Sequence, residues 1–270
     1  MKKLVFIILL WAAGALTGKA NEAASPYVNI SMQTFYDEQS PYGDWLNTPD
    51  YGYVWRPFMN DRHNSFRPYD TDGDWVYTEY GWTWVSNYPC GWAPFHYGRW
   101  YLDDYYGWMW MPGYECAPAW VSWGSYNDNW GWAPMGPGIQ VNVNLGWNAP
   151  LAWWIFVPRI HFGSNHWHNY IYRNHINVTN INYITNIYDD NSGGHRKSWY
   201  HGPRISDVER YSSSKVRQMR VVDADRAGDA RVDRDRVKVY RPGVENQRTD
   251  ARPAKYKSIE KSRSDHANNR

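Results

Sequence analysis

The sequence predicts an all-β fold, an antiparallel meander or small barrel of Trp-rich hairpin repeats, with a small C-terminal β-hairpin module and a disordered tail. Three observations carry this. A Tyr-Gly-x-x-Trp motif recurs, in degenerate form at Tyr51, as Tyr-Gly-Trp-x-Trp at Tyr80 and Tyr106, and truncated as Trp130-Gly131-Trp132-Ala133-Pro134. Near-regular spacing of this kind marks repeated supersecondary units. Within each copy the aromatics stand two residues apart, the spacing that shares one face of a strand. Finally, all of the nineteen Trp except Trp11 and Trp199 fall between Trp45 and Trp167.

Taken in order, Lys2 and Lys3 precede an apolar run, Leu4 to Ala13, and Gly18-Lys19-Ala20 offers small residues for cleavage. This pattern predicts a secretory signal peptide over residues 1–20, because the apolar run is too short to span a membrane. The mature chain is then expected in the periplasm or outside the cell, with no transmembrane segment. Val28 to Phe35 alternates moderately and reads as a first strand.

Residues 27–160 form the predicted Trp-rich domain. Asp74 to Trp84 and Arg99 to Trp110 each hold two aromatic runs around a short polar turn, the pattern of a β-hairpin. The prolines at 57, 89, 94, 112, 118 and 134 fit strand ends or edges. Ile139 to Leu145 alternates strictly, as a strand does, and Trp153 to Pro158 reads as a buried strand or core anchor.

Residues 161–194 are a connecting segment rich in His, Asn and Ile, ending in a linker at Asn191-Ser192-Gly193-Gly194. Val178, Ile181, Ile184 and Ile187 recur every third residue, which fits neither strand nor α-helix. Residues 195–242 read as a small basic module. It contains a short helix over Ile205–Tyr211 and two strands, Val216–Val222 and Arg231–Tyr240, paired around Ala227-Gly228-Asp229. Residues 243–270 are polar and poor in apolar side chains, the composition of disorder.

Charge separates the halves. Residues 21–190 carry 6 Lys+Arg against 16 Asp+Glu, a net of −10, and residues 191–270 carry 20 against 11, a net of +9. The basic half offers electrostatic docking on an anionic envelope polymer or on the protein's own body. Arg and Lys alternate with Asp there, which weakens the local field, and no nucleic-acid partner is expected.

The run Gly98–Gly138, GRWYLDDYYGWMWMPGYECAPAWVSWGSYNDNWGWAPMGPG, closely resembles a family of bacterial secreted proteins rich in Trp and Tyr. That family shares YGWxWxPGYxWAPAWVSW and GWAP signatures and is known as a domain of unknown function. FVPRIHF, VTNINYITNI and HGPRISDVER resemble its trailing segments, so the likeness covers most of residues 40–242. It departs at Cys90 and Cys116, where the family pattern has Trp. The resemblance implies an envelope or secreted protein and supplies no activity, substrate or catalytic residue.

Four kinds of chemistry are open to these residues. Trp82, Trp84, Trp92, Trp100, Trp108, Trp110, Trp120 and Trp123 form a candidate aromatic binding surface for a glycan or peptide, or else simply the core. Seventeen Trp exceed what a domain of about 120 residues buries. Cys90 and Cys116 each lie ten residues after a motif Tyr and are expected to form a disulfide, a loop closure worth about 3 kcal/mol. Among His161, His166, His168 and His175, only His166 and His168 would share a strand face as weak metal candidates, and no third ligand is evident, so no metal and no cofactor are expected.

Asp103-Asp104, Asp70/Asp72/Asp74 and Glu115 place carboxylates near aromatics, as glycosidases do. The Asp residues sit where turns favour Asp for local hydrogen bonds. No nucleophile elbow, zinc-binding His-Glu-x-x-His or phosphate loop occurs. The expected function is therefore non-enzymatic, a structural or binding protein of the envelope or matrix, with a glycan-active hydrolase as the alternative.

Overall fold

The computed structural model describes residues 29–60, 66–141, 149–164, 166–172, 180–191, 197–212, 215–246 and 250–259. The signal-peptide segment, the linker from Ser192, His175, most of the Ile139–Leu145 strand and residues 260–270 lie outside them. The fold is all-β. A two-residue strand β1 (Asn29–Ile30) leads into helix α1 (Met32–Gln39). The expected first strand is thus mostly helix. Met32, Phe35, Tyr36 and Gln39 are all buried, and their spacing of three and four residues is that of one helix face.

Four hairpins follow: β2 (Gly43–Thr48) with β3 (Gly52–Pro57), β4 (Gly73–Thr78) with β5 (Gly81–Ser86), β6 (Tyr97–Asp103) with β7 (Gly107–Cys116), and β8 (Val121–Tyr126) with β9 (Asn129–Pro134). The motif glycine has a specific task in the first three. Gly52, Gly81 and Gly107 close each turn at φ of 66°, 97° and 73°, a region costly for residues with a Cβ. In the fourth hairpin Asn127 takes that conformation, at φ 47°.

Each hairpin sets one Trp directly across from another. The pairs are Trp45 and Trp55, Trp75 and Trp84, Trp100 and Trp110, and Trp123 and Trp132. All eight are buried in one large core. Consecutive hairpins do not form a meander. The first and third share a sheet through Trp55 opposite Trp110. The second and fourth lie in different sheets and meet through their rings, Trp75 standing 4.7 Å from Trp123 and 5.6 Å from Trp132.

The rest of the chain is β10 (Ile155–Pro158), β11 (Asn182–Ile184), β12 (Ile187–Asp190), β13 (Lys197–Tyr200), α2 (Ile205–Ser212), β14 (Gln218–Asp223), β15 (Arg231–Asp233), β16 (Arg236–Val239), β17 (Gly243–Val244) and β18 (Lys257–Ser258). The described strands form sheets ordered β18-β2-β3-β7-β6, β15-β16-β14-β4-β5 and β10-β9-β8-β11, with the pairs β12-β13 and β1-β17. None closes into a barrel.

Three expectations for the second half change. The period-three segment contains two short strands, β11 adding to β8 and β12 pairing with β13. The C-terminal strands do not form one free-standing hairpin. β14 pairs in parallel with both β16 and β4, and Arg231–Asp233 folds back on β16 about a turn at Arg234, φ 49°. The alternating run Arg231–Tyr240 is therefore two strands, and the module continues the sheet of the second hairpin. The tail expected to be disordered is ordered over residues 243–246 and 250–259. β18 adds in parallel to β2, and Ile259 is buried with Leu46, Val54, Tyr106 and Met109. Backbone pairing and a buried Ile259 thus dock a segment whose average composition is polar.

That docking is testable. Burying a side chain such as Ile259 contributes about 1.5–3 kcal/mol before the cost of ordering its neighbours. Ile259→Asp should lower the melting temperature by several degrees, at about 2–4 °C per kcal/mol for a chain of this size. An unchanged thermal transition, followed by circular dichroism, would mean that the segment contributes nothing to the fold.

Candidate functional site

The eight Trp proposed as a binding surface are all core residues. Trp82, Trp84, Trp92, Trp100, Trp108, Trp110, Trp120 and Trp123 are each at most 5% exposed. The reason is visible on β5, where every residue from Gly81 to Ser86 is buried, so both faces are covered. The second face is covered by later chain. Trp82 packs on Phe162 at 4.6 Å and donates its indole N–H to the carbonyl of Pro203.

The two cysteines are free, Cys90 buried and Cys116 half-buried. Equivalence in the repeat does not make equivalent surroundings, since the two lie on different pieces of backbone. Cys90 follows β5 in a turn, where its carbonyl accepts from Gln39. Burial pushes its thiol up to about 12. Cys116 ends β7 opposite Tyr97, and burial raises its thiol too, against the nearby Arg241 guanidinium and the Tyr97 hydrogen bond.

Among the described residues the histidines form no cluster. Residues 167–170 are a 3-10 turn, so His166 and His168 do not share a strand face. His166 is exposed, whereas His168 stacks on Trp167 with Nδ1 3.8 Å from Asp74. Among the described residues no group of three His, Cys, Asp or Glu could hold a metal. Of the carboxylates, Asp103 accepts from the amides of Tyr105 and Tyr106 and caps its own turn. Asp72 accepts from Asn87. Glu115 stands apart from these.

Glu115 lines a cleft of about 740 Å³ where several distant parts of the chain converge. Tyr80 and Thr83 come from the second hairpin, His96 from the turn before β6, and Tyr114 to Pro118 from the end of β7. Asp190, Lys197 and Trp199 belong to β12 and β13, and Val239 to Asn246 close the site with Asn29. Indole N–H groups hold two of these walls. Trp199 donates to the carbonyl of Tyr80 at 2.9 Å, and Trp120 to that of His96 at 3.0 Å.

The cleft has mixed charge. Arg241 donates through Nε to Asp223 at 2.8 Å, and its guanidinium lies 5.5 Å from the centre of the Tyr80 ring. Burial works against that charge, and Asp223 more than restores it, so the guanidinium is held above its usual range. Lys197 lines the cleft with Arg241, against Glu115, Asp190 and Glu245. His96 is 3% exposed, and its Nδ1, 2.9 Å from the Ala117 carbonyl, carries the hydrogen. Burial holds this imidazole down to about 4, so it is neutral at pH 7. Tyr114 is 39% exposed and is the accessible aromatic of the site.

Of the cleft residues the sequence singles out only Glu115, as a carboxylate near aromatics, and Cys116, for a disulfide. Nothing in the spacing connects positions 80, 96, 115, 197 and 241, which only the tertiary fold brings together.

Residues 36–139, which hold the four hairpins, match the model of a family described as a family of unknown function (DUF6600). The resemblance to an uncharacterised domain family is borne out over that span, and the segments from β10 onward fall outside it. No curated protein and no solved structure matches the chain.

Two outcomes follow from the geometry. Thiol labelling of the denatured, unreduced protein should find both Cys90 and Cys116 free, whereas no reaction would restore the disulfide. The second concerns pH. His96 titrates near 6.5 when unfolded and near 4 when folded, so between those values the unfolded chain binds the extra proton. Stability is full above pH 6.5 and falls as pH drops towards 4, by about 3 kcal/mol. His96→Asn can keep the bond to Ala117 but cannot titrate. Urea unfolding at pH 7 and pH 4 should show a loss in the wild type that the variant lacks in that amount.

Proposed function

We propose that this protein is a non-enzymatic component of an exported envelope or matrix, with the Trp-rich hairpins as scaffold and the cleft as binding site. The ligand is a polar envelope molecule, glycan or peptide. The observation carrying this reading is the composition of the cleft: an accessible Tyr114, a neutral buried imidazole, two cations and three carboxylates around about 740 Å³. A concave site with a few convergent polar groups is the usual form of a small-ligand pocket. The mixed charge favours ligands that bear amide, hydroxyl, amine and carboxylate groups over polyanions. Export rests on the basic, apolar and small-residue pattern of residues 1–20. Ligand contact thus passes from the Trp faces, which are buried, to the cleft.

A second reading has its own observation. Glu115, Asp190 and Glu245 line the same cleft beside Tyr80, Tyr114 and Trp199, and glycan hydrolysis requires paired carboxylates next to a bound sugar. The carboxylates that would act are then those of the cleft in place of those of the turns.

One titration tests both. Purified peptidoglycan fragments should bind the mature protein saturably. Tyr114→Ala combined with Lys197→Ala should weaken binding about tenfold, equivalent to about 1.4 kcal/mol of lost contact. Unchanged binding in that variant would remove the cleft as the site. Release of new reducing ends, abolished by Glu115→Gln, would establish the hydrolase instead.

A further inference from the structure

Residues 250–259 lie along the body as an extended peptide lies in a receptor groove. Gln33 grips the backbone of Arg252 at both of its polar groups. Its Nε2 donates to the Arg252 carbonyl at 3.1 Å, and its Oε1 accepts from the Arg252 amide at 3.2 Å. Asp37 holds the Gln33 carboxamide in place at 2.9 Å. A side-chain amide that pairs with both polar groups of one residue recognises extended backbone whatever its sequence.

Sequence is read on either side of an exposed run. Pro253 and Ile259 are buried, while residues 254–258 between them are exposed. Along that run Lys257 and Ser258 pair in parallel with Leu46 and Asn47 at the edge of β2. Lys257 Nζ stands 3.3 Å from Asp44, and Tyr256 packs edge-on against Tyr53 with centroids 4.9 Å apart. Backbone bonds to a free sheet edge, with pockets for spaced side chains, are the physics of strand addition.

None of these contacts requires the peptide to come from the same chain. We propose that the groove between α1 and β2 is an interaction site for residues 250–259 of a second copy of this protein, so that the C-terminal segment can be exchanged between neighbours. The occupant is argued from fit and from charge. Every copy carries the segment that fits the groove, and residues 250–259, with Arg252, Lys255 and Lys257 against Asp250 for a net of +2, meet a body of net −10. Within one chain the high effective concentration favours the closed form, and exchange of identical elements is a low-cost route from monomer to pair.

Complementary variants test this in the full chain. Ile259→Asp spoils the segment and leaves the groove open. Gln33→Ala with Asp44→Lys spoils the groove and leaves the segment free. Each alone should sediment as a monomer, and their mixture should contain a 1:1 pair. Absence of that pair, with both variants keeping wild-type circular dichroism, would overturn the proposal. Should either variant fail to fold, a protease site placed between Asn246 and Asp250 of the otherwise wild-type chain serves instead. After cleavage, a labelled peptide of residues 250–259 should replace the resident segment, with affinity at least tenfold above that of the Ile259→Asp peptide. No replacement, or equal affinity, would count against the site.

Discussion

A buried indole is costly unless its N–H finds an acceptor, and much of this structure follows from that constraint. Burying a donor without an acceptor costs about 1–3 kcal/mol. The facing Trp of each pair offers no acceptor to its partner's indole. The acceptors are carbonyls elsewhere: Tyr36 and Gln39 of α1 for Trp45 and Trp55, Pro94 and Tyr69 of connecting turns for Trp100 and Trp132, and Tyr97 at the start of β6 for Trp110. Loops that would lie on the surface of an aliphatic sandwich are drawn into the core. Trp75, Trp84 and Trp123 have buried indole nitrogens with no hydrogen-bond partner among the described residues. These three sit where the second and fourth hairpins meet, and ring-on-ring contact is what the packing offers there.

This explains why the hairpins were legible in sequence and the sheets were not. Tyr-Gly-x-x-Trp encodes a local event, a turn closed by a glycine at positive φ with a Trp three residues beyond it, and local events leave local signals. Which hairpin joins which depends on contacts such as Trp55 opposite Trp110, and no spacing announces them. The disulfide expectation rested on equivalent repeat positions, whereas the structure has both thiols free. Equivalence in the repeat is a statement about sequence, and adjacency depends on how the repeats assemble.

The aromatic surface failed for a related reason. Weighing the Trp count against a domain of about 120 residues treats the remainder of the chain as separate, as the charge asymmetry suggested. Instead the second half covers the first. Phe162 packs on Trp82, Trp123 and Trp132, Pro203 accepts from Trp82, and β14 extends the sheet of β4. The excess of Trp is consumed by a core that is larger than the repeats alone. Opposite net charges on the two halves fit such an embrace better than independent units, since self-repulsion falls when they combine.

The cleft is a product of the same embrace. Its walls belong to segments that have no reason to converge except that the second half wraps the first. They are held there by the constraint that governs the core: Trp120 fixes the carbonyl of His96, and Trp199 that of Tyr80. A change that loosens either indole would alter the shape of the cleft without touching a residue that faces a ligand. The dense aromatic core and the mixed-charge cleft are thus one design, in which unusually demanding buried donors place backbone and side chains that a softer core would leave free to move.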